Sequence, residues 1–228
     1  MAPKSRAQAG AGSRKGKTAR RAVRPKSGSG VPILPIVVGS ILAVLAIAMV
    51  VWIIYLGRPQ GPSATPTVAG IPCDHLEHTQ VHYHAALQII YKGVVTDLPA
   101  NTGIVTDSAG NVTCYYWLHV HQASPNVIHI ESPATNTFTL GQFFAVWNSW
   151  SQANGQGPRK LDATHVASIA LGPGDKVVTY IDLGDGKGPQ VYTGDPSSIV
   201  LKSHEVISVE ITPPDVSPPP SFKFPSGL

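Results

Sequence analysis

The segment HYHAALQIIYKG opens with His82 and His84 on alternate residues, and YYWLHVHQ carries His119 and His121 at the same spacing. In an extended chain, residues i and i+2 point to one face, roughly 6.6–6.8 Å apart. Two imidazoles at that separation can converge on one ion through bonds of about 2.0–2.1 Å. One His-x-His pair is common by chance. Two pairs on strands able to lie side by side supply four neutral nitrogen donors, a stronger pattern. Imidazole suits copper(II), zinc, nickel or iron. With methionine confined to Met1 and Met49, a thioether-rich copper(I) site is disfavoured.

Other candidates surround the two pairs. His129 and Glu131 share a face of NVIHIE, offering a fifth ligand and a carboxylate to orient a ligand. Ahead of the first pair, CDHLEH brings His75 and His78 as further candidate ligands, Asp74 as a second orienting carboxylate, and Glu77. His165 and His204 lack such company and read as structural. For any histidine taken alone, a hydrogen-bonded or solvated strand residue is the simpler reading; the pairing is what points to metal. A blue-copper arrangement competes, using Cys114, His119, His84 and a weak axial Gln122. It needs a free thiol at Cys114, and strand alternation sets Cys114 and His119 on opposite faces. The glycine and glutamate spacing of a cupin site is not evident. There is no Gly-x-Ser-x-Gly elbow, phosphate loop or Cys-x-x-Cys-His haem attachment.

Compartment follows from charge and hydropathy. Residues 1–30 hold nine Lys/Arg and no acidic residue, whereas all thirteen acidic residues lie beyond Arg58. Between these parts runs VPILPIVVGSILAVLAIAMVVWIIYL, Val31 to Leu56, free of charge. A bilayer core of ~30 Å needs about 20 apolar helical residues, so this segment predicts a single transmembrane helix. Trp52 and Tyr55 near its far end suit a headgroup layer. The charge asymmetry predicts a cytoplasmic N-terminus and a single-pass protein of the plasma membrane, with the C-terminal part outside. A cleaved signal peptide would have a shorter basic segment and an apolar region of only ~7–15 residues. The basic tail, 1–30, reads as disordered and lipid-facing. No aromatic residue interrupts it to stack on bases, so no nucleic-acid partner is expected. The lipid bilayer, through residues 31–56, is the one partner the sequence implies.

Outside the membrane, residues 57–72 form a flexible Pro/Gly/Ser/Thr linker, 73–212 a compact domain, and 213–228 a proline-rich tail whose Phe222 and Phe224 can dock back. Cys73 and Cys114 are the only cysteines, and in an oxidising compartment they predict one disulfide. The pattern of the domain is mainly β. Val81–Tyr91 alternates cleanly, YKG turns into VVTDLP, and Val112–Gln122 reads as one second strand whose Tyr115 and Trp117 wall the His119/His121 face. NVIHIE follows as a third strand, KVVTYIDLGDGKGPQVY as a hairpin and HEVISVEIT as a final strand. Thr139 and Gln142 have capping-box spacing ahead of FFAVWNSW, predicting one short helix. The expected architecture is a β-sandwich or small barrel carrying that helix.

The stretch CYYWLHVHQASPNVIHIESP, followed by FTLGQFFAVW, resembles an uncharacterised group of bacterial secreted or membrane-anchored, histidine-rich β proteins. The resemblance extends to HYHAALQIIYKGVV and FKFPSGL and covers most of the external domain. It implies an extracytoplasmic setting and no particular activity. From the residues themselves, the first expectation is a non-catalytic domain holding or passing on a copper or zinc ion through His82, His84, His119, His121 and His129. The second is an anchored metalloenzyme with Glu131 or Asp74 as base. The third is a module for binding a protein or cell wall, with structural histidines.

Overall fold

A computed structural model describes residues 33–56 and 66–228. The chain divides into two compact units, Met1–Gly61 and Pro62–Leu228. In the first unit, α1 (Ile33–Leu56) is 24 residues long and uncharged. At 1.5 Å per residue it spans about 36 Å, enough to cross a bilayer core by length and composition. Its side chains from Ile33 to Ile54 are exposed all round, as in a helix that no protein core covers. The hydroxyl of Ser40, polar inside this run, donates to the Ile36 carbonyl at 2.8 Å. The expected basic tail and most of the expected linker lie outside the described residues.

The second unit is mainly β, with strand pairing from Thr67 onward. β1 (Thr67–Val68) and β2 (Ile71–Asp74) form a short hairpin, and β3 (Val81–Tyr91) is the longest strand. Its alternation buries Ala85, Leu87 and Ile89 in the core. Lys92 and Gly93, both at positive φ, form a two-residue turn into β4 (Val94–Thr96). After β5 (Ile104–Thr106) come β6 (Val112–Tyr116), β7 (Leu118–His119) and β8 (Val127–Ser132). The helix α2 (Leu140–Ala153) starts with both arms of the expected capping box, between Thr139 and Gln142. Its face of Leu140, Phe143, Phe144, Trp147 and Trp150 is buried. Strands β9 (Lys160–Asp162), β10 (His165–Ala167) and β11 (Ile169–Ala170) make a small separate sheet. The predicted hairpin is β12 (Lys176–Asp182) with β13 (Gln190–Tyr192), and β14 (Val206–Thr212) is the predicted final strand.

The principal sheet has the order β13-β12-β14-β3-β8-β7, with β4 paired beside β3. A second sheet has the order β1-β2-β6-β5. The expected single strand Val112–Gln122 is therefore two strands in different sheets. At Trp117 the chain leaves β2 and β5 and joins β8; Val120 N–H then bonds to the Thr102 carbonyl rather than to a strand. The indole N–H of Trp117 donates to Asp74 at 2.7 Å, which fixes the crossing. Beyond β14, Phe224 packs on His204 with ring centres 5.0 Å apart, so the tail docks back as its aromatic residues suggested.

Cys73 and Cys114 form the predicted disulfide, joining β2 to β6 beneath the loop that carries Glu77. This removes the thiolate that a blue-copper site requires, and the set of Cys114, His119, His84 and Gln122 is excluded. A link across 41 residues of separation restricts the unfolded chain by about 4 kcal/mol in the loop-entropy description. Replacing both cysteines by alanine should lower the thermal midpoint of the domain by roughly 8–16 °C. Thermal denaturation of the full-length chain followed by circular dichroism checks this, and an unchanged midpoint would contradict it.

Candidate metal centre

The register of three strands assembles the site. β3 and β8 are antiparallel with His84 opposite His129 and His82 opposite Glu131, and β7 sets His119 opposite His129. Residues directly opposite on neighbouring strands point to the same face, with Cβ atoms about 4.5–5.5 Å apart. His84, His129 and His119 thus form one row across the sheet, with His82 and Glu131 in the next row. On the other face, Ala85, Ile128, Ile130 and Leu118 enter the hydrophobic core. His121 follows just past the end of β7.

The side chains converge. The Nε2 atoms of His82 and His84 are 3.0 Å apart, and those of His119 and His121 3.1 Å. Two nitrogens on one ion at bonds of about 2.05 Å would stand about 2.9–3.3 Å apart for angles between a right angle and the tetrahedral angle. His129 sits between the pairs, its ring centre 4.5 Å from those of both His84 and His121. Glu131 Oε1 lies 3.3 Å from His82 Nε2, 3.5 Å from His129 Nδ1 and 3.9 Å from His119 Nε2. The grouping of His119, His121, His129 and Glu131, and that of His82, His84 and His129, can each hold a metal ion.

Protonation favours the same role. His119 Nδ1 is 2.8 Å from the Tyr116 carbonyl, which only accepts, so Nδ1 donates there and Nε2 is the ring nitrogen turned toward the cluster. His129 Nε2 is 2.9 Å from the Ser124 hydroxyl, while its buried Nδ1 has no hydrogen-bond partner. A buried ring nitrogen left unpaired is costly unless something binds it. Burial, with His129 and His82 nearby, lowers His84 from the usual 6.5 to about 4. Burial also lowers His121. The His119 imidazole beside Glu77 holds that carboxyl below its usual range, against burial. For Glu131 burial pushes upward, but His129 and His119 outweigh it and the net shift is downward. The shifts of His84, His121, Glu77 and Glu131 are thus all toward the deprotonated forms that bind a cation.

Glu77 belongs to the cluster: its Oε1 is 3.0 Å from His121 Nε2 and 3.6 Å from His119 Nε2. Its neighbours take other partners. His78 Nε2 bonds to Asp74 Oδ2 at 2.7 Å, and His75 Nδ1 donates to the Thr113 carbonyl at 2.7 Å. Asp74 is thereby engaged with His78 and Trp117 rather than with the five clustered histidines. The expected aromatic wall divides as well. The Tyr115 ring stays 5.7 Å from His119, whereas Trp117 packs against His78 and Phe138. The rings of His165 and His204 take other partners, Thr164 for the first and Ser203 and Leu228 for the second, although the His204 backbone N–H donates to the His84 carbonyl at 2.7 Å. Two hollows of 660 and 740 Å³ elsewhere in the domain are lined by no histidine.

Gly103 braces the site from outside the sheet. It lies at φ +80°, and a Cβ there would meet the Leu118 carbonyl oxygen at 2.7 Å and His119 Cβ at 3.2 Å. No family model, curated protein or solved structure matches this chain.

Two outcomes follow from this geometry. Gly103→Ala should cost about 1–3 kcal/mol of stability and displace His119, read by denaturant unfolding together with weakened metal binding. The second concerns pH. The folded His84 refuses a proton until about pH 4, whereas the unfolded chain takes one near 6.5. Its contribution to stability is therefore complete above about 6.5 and is lost as pH falls toward 4. Urea unfolding of metal-stripped protein across that window should show a steeper decline for the native chain than for His84→Gln. Parallel declines would refute the assignment.

Proposed function

We propose that this chain is a single-pass membrane protein, its N-terminus in the cytoplasm, which displays on the outer face a β domain that holds a copper(II) or zinc ion and passes it on without catalysing a reaction. The observation that carries the reading is the meeting of two His-x-His pairs, at 3.0 and 3.1 Å, around a buried His129 Nδ1 that makes no hydrogen bond and faces Glu131 Oε1 at 3.5 Å. The donors are all nitrogen and oxygen, with both cysteines closed in a disulfide, which suits copper(II) or zinc over copper(I). The apolar α1 and the disulfide support an extracytoplasmic setting.

Holding and passing on are favoured over catalysis by the carboxylates. Glu131 and Glu77 stand among the candidate donors, at 3.0–3.9 Å from histidine nitrogens, rather than behind them as a free base. Asp74, the other candidate base, is already engaged by His78 and Trp117. Exposure is graded: the side chains of His119, Glu131 and His129 are 0–7% exposed, whereas those of His82, His121 and Glu77 are 31–43% exposed. The outer ligands can exchange with solvent or a receiving protein while the inner ones stay fixed.

The test is metal analysis by mass spectrometry on the full-length chain, purified in detergent without a metal-affinity tag. At least one copper or zinc ion per chain is expected. In the variant with His82, His84, His119 and His121 all changed to Ala, with an unchanged circular dichroism spectrum, the content should drop at least tenfold. Absence of metal from the native chain, even after incubation with copper(II) and zinc, would overturn the proposal.

A further inference from the structure

The cluster contains more donors than one ion can use. Five histidines and two carboxylates come together, whereas zinc takes about four ligands and a divalent transition ion at most about six. Distance divides them further. Ligand atoms on one ion with bonds of about 2.1 Å cannot stand more than about 4.2 Å apart. The clustered donors fall into two sets, each within 4.8 Å: His82, His84 and His129 in one, and His119, His121, His129 and Glu131 in the other. Each His-x-His pair, 3.0 or 3.1 Å across, already has the width of one edge of a coordination sphere. Only His129 belongs to both sets, and Glu131 Oε1 stands between the pairs, 3.3 Å from His82 Nε2 and 3.9 Å from His119 Nε2.

Resting on the metal-holding reading above, we infer that the site is a two-ion centre: one divalent ion on the β3 pair His82/His84, a second on His119/His121 with Glu77, and His129 and Glu131 between them. A carboxylate has two oxygens and can bridge two cations, which stand about 3.5–4 Å apart in two-metal sites. The two histidine pairs come from different strands, β3 on one side and β7 with its extension on the other, with β8 between them supplying Glu131 as the bridging carboxylate and His129 Nδ1 as a ligand to one ion or the other. Neutral imidazoles and two carboxylates leave two divalent ions only partly neutralised. The half-exposed rim of His82, His121 and Glu77 is where water or an anion from solvent would complete the charge.

The experiment uses the full-length chain in detergent, stripped with a chelator and reloaded separately with zinc and with copper(II). Two ions per chain are expected by mass spectrometry. His82→Ala/His84→Ala and His119→Ala/His121→Ala should each retain one. Because either double variant can misfold, the native chain loaded with copper(II) supplies an independent reading. Paramagnetic resonance should show spin coupling between neighbouring ions, as lost or broadened single-ion signal, at full loading. One ion per chain, lost from both double variants, would establish a single-ion centre: the inference fails and the metal-holding reading stands. Two ions without magnetic coupling would put the second elsewhere and equally overturn the inference. No metal in the native chain would defeat the metal-holding reading itself.

Discussion

The pairing of β8 between β3 and β7 is the constraint on which everything else in this domain depends. Because opposed residues on antiparallel strands face the same way, one register decides two things together. It sends Ala85, Ile128, Ile130 and Leu118 into the core, and it lines up His84, His129 and His119 on the reverse face. A slip of one residue would turn the histidines into the core and the aliphatic side chains out. The hydrophobic core therefore enforces the register beneath the row, while Tyr116 and Ser124 hold the His119 and His129 rings within it. What the core cannot enforce is the approach of His121 and Glu77, which come from a strand extension and a loop. These are secured instead by the Tyr116 carbonyl on His119, by the disulfide beneath the Glu77 loop and by the close contact of Gly103 with Leu118.

Such a face is not what folding stability alone would select. Imidazoles and a carboxylate are crowded where exposure is low, and one buried ring nitrogen makes no hydrogen bond. Unpaired buried polar atoms typically cost on the order of 1–3 kcal/mol each. The rest of the domain is conventional by comparison, with aliphatic alternation, a fully formed capping box and a two-residue turn with both residues at positive φ. Among the described residues three more buried polar atoms lack a hydrogen bond, Trp147 Nε1, Thr179 Oγ1 and Glu210 Oε2, but none belongs to a group of candidate ligands. What singles this patch out is the crowding of several imidazoles with carboxylates, not one unsatisfied atom, and that makes it the candidate site.

Much of this was legible in the sequence where the signal was local. The charge-free run gave α1, alternation gave β3, β8, β12 and β14, and Thr139 with Gln142 gave the start of α2. The five clustered histidines could be named because period-two spacing reports a shared face directly. The change of sheet at Trp117 could not be read, since Val112–Gln122 is locally consistent with one strand. Only the competition of β2 and β5 with β8 for its backbone groups breaks it. That break is why Trp117 turned toward Asp74 and left Tyr115 alone beside His119. The short strands β5, β9, β10 and β11 carry too few residues to establish a period. Glu77 lay in view beside His75 and His78, but nothing local distinguishes the one residue of the three that reaches the cluster.

That last distinction has a physical origin in how the loop leaves β2. Asp74 ends the strand and is held by the Trp117 indole and by His78, while His75 bonds back to the Thr113 carbonyl on β6. With those three anchored, Glu77 is the one ionisable side chain of the loop left to extend toward His119 and His121. The polar residues around it are a scaffold that aims a single carboxylate, and the disulfide one residue earlier fixes the base of that scaffold. Under the proposed extracytoplasmic, metal-holding role, the disulfide does more than staple the fold. By closing Cys73 to Cys114 it both withholds a thiolate that would compete for the ion and sets the loop that supplies an oxygen donor in its place.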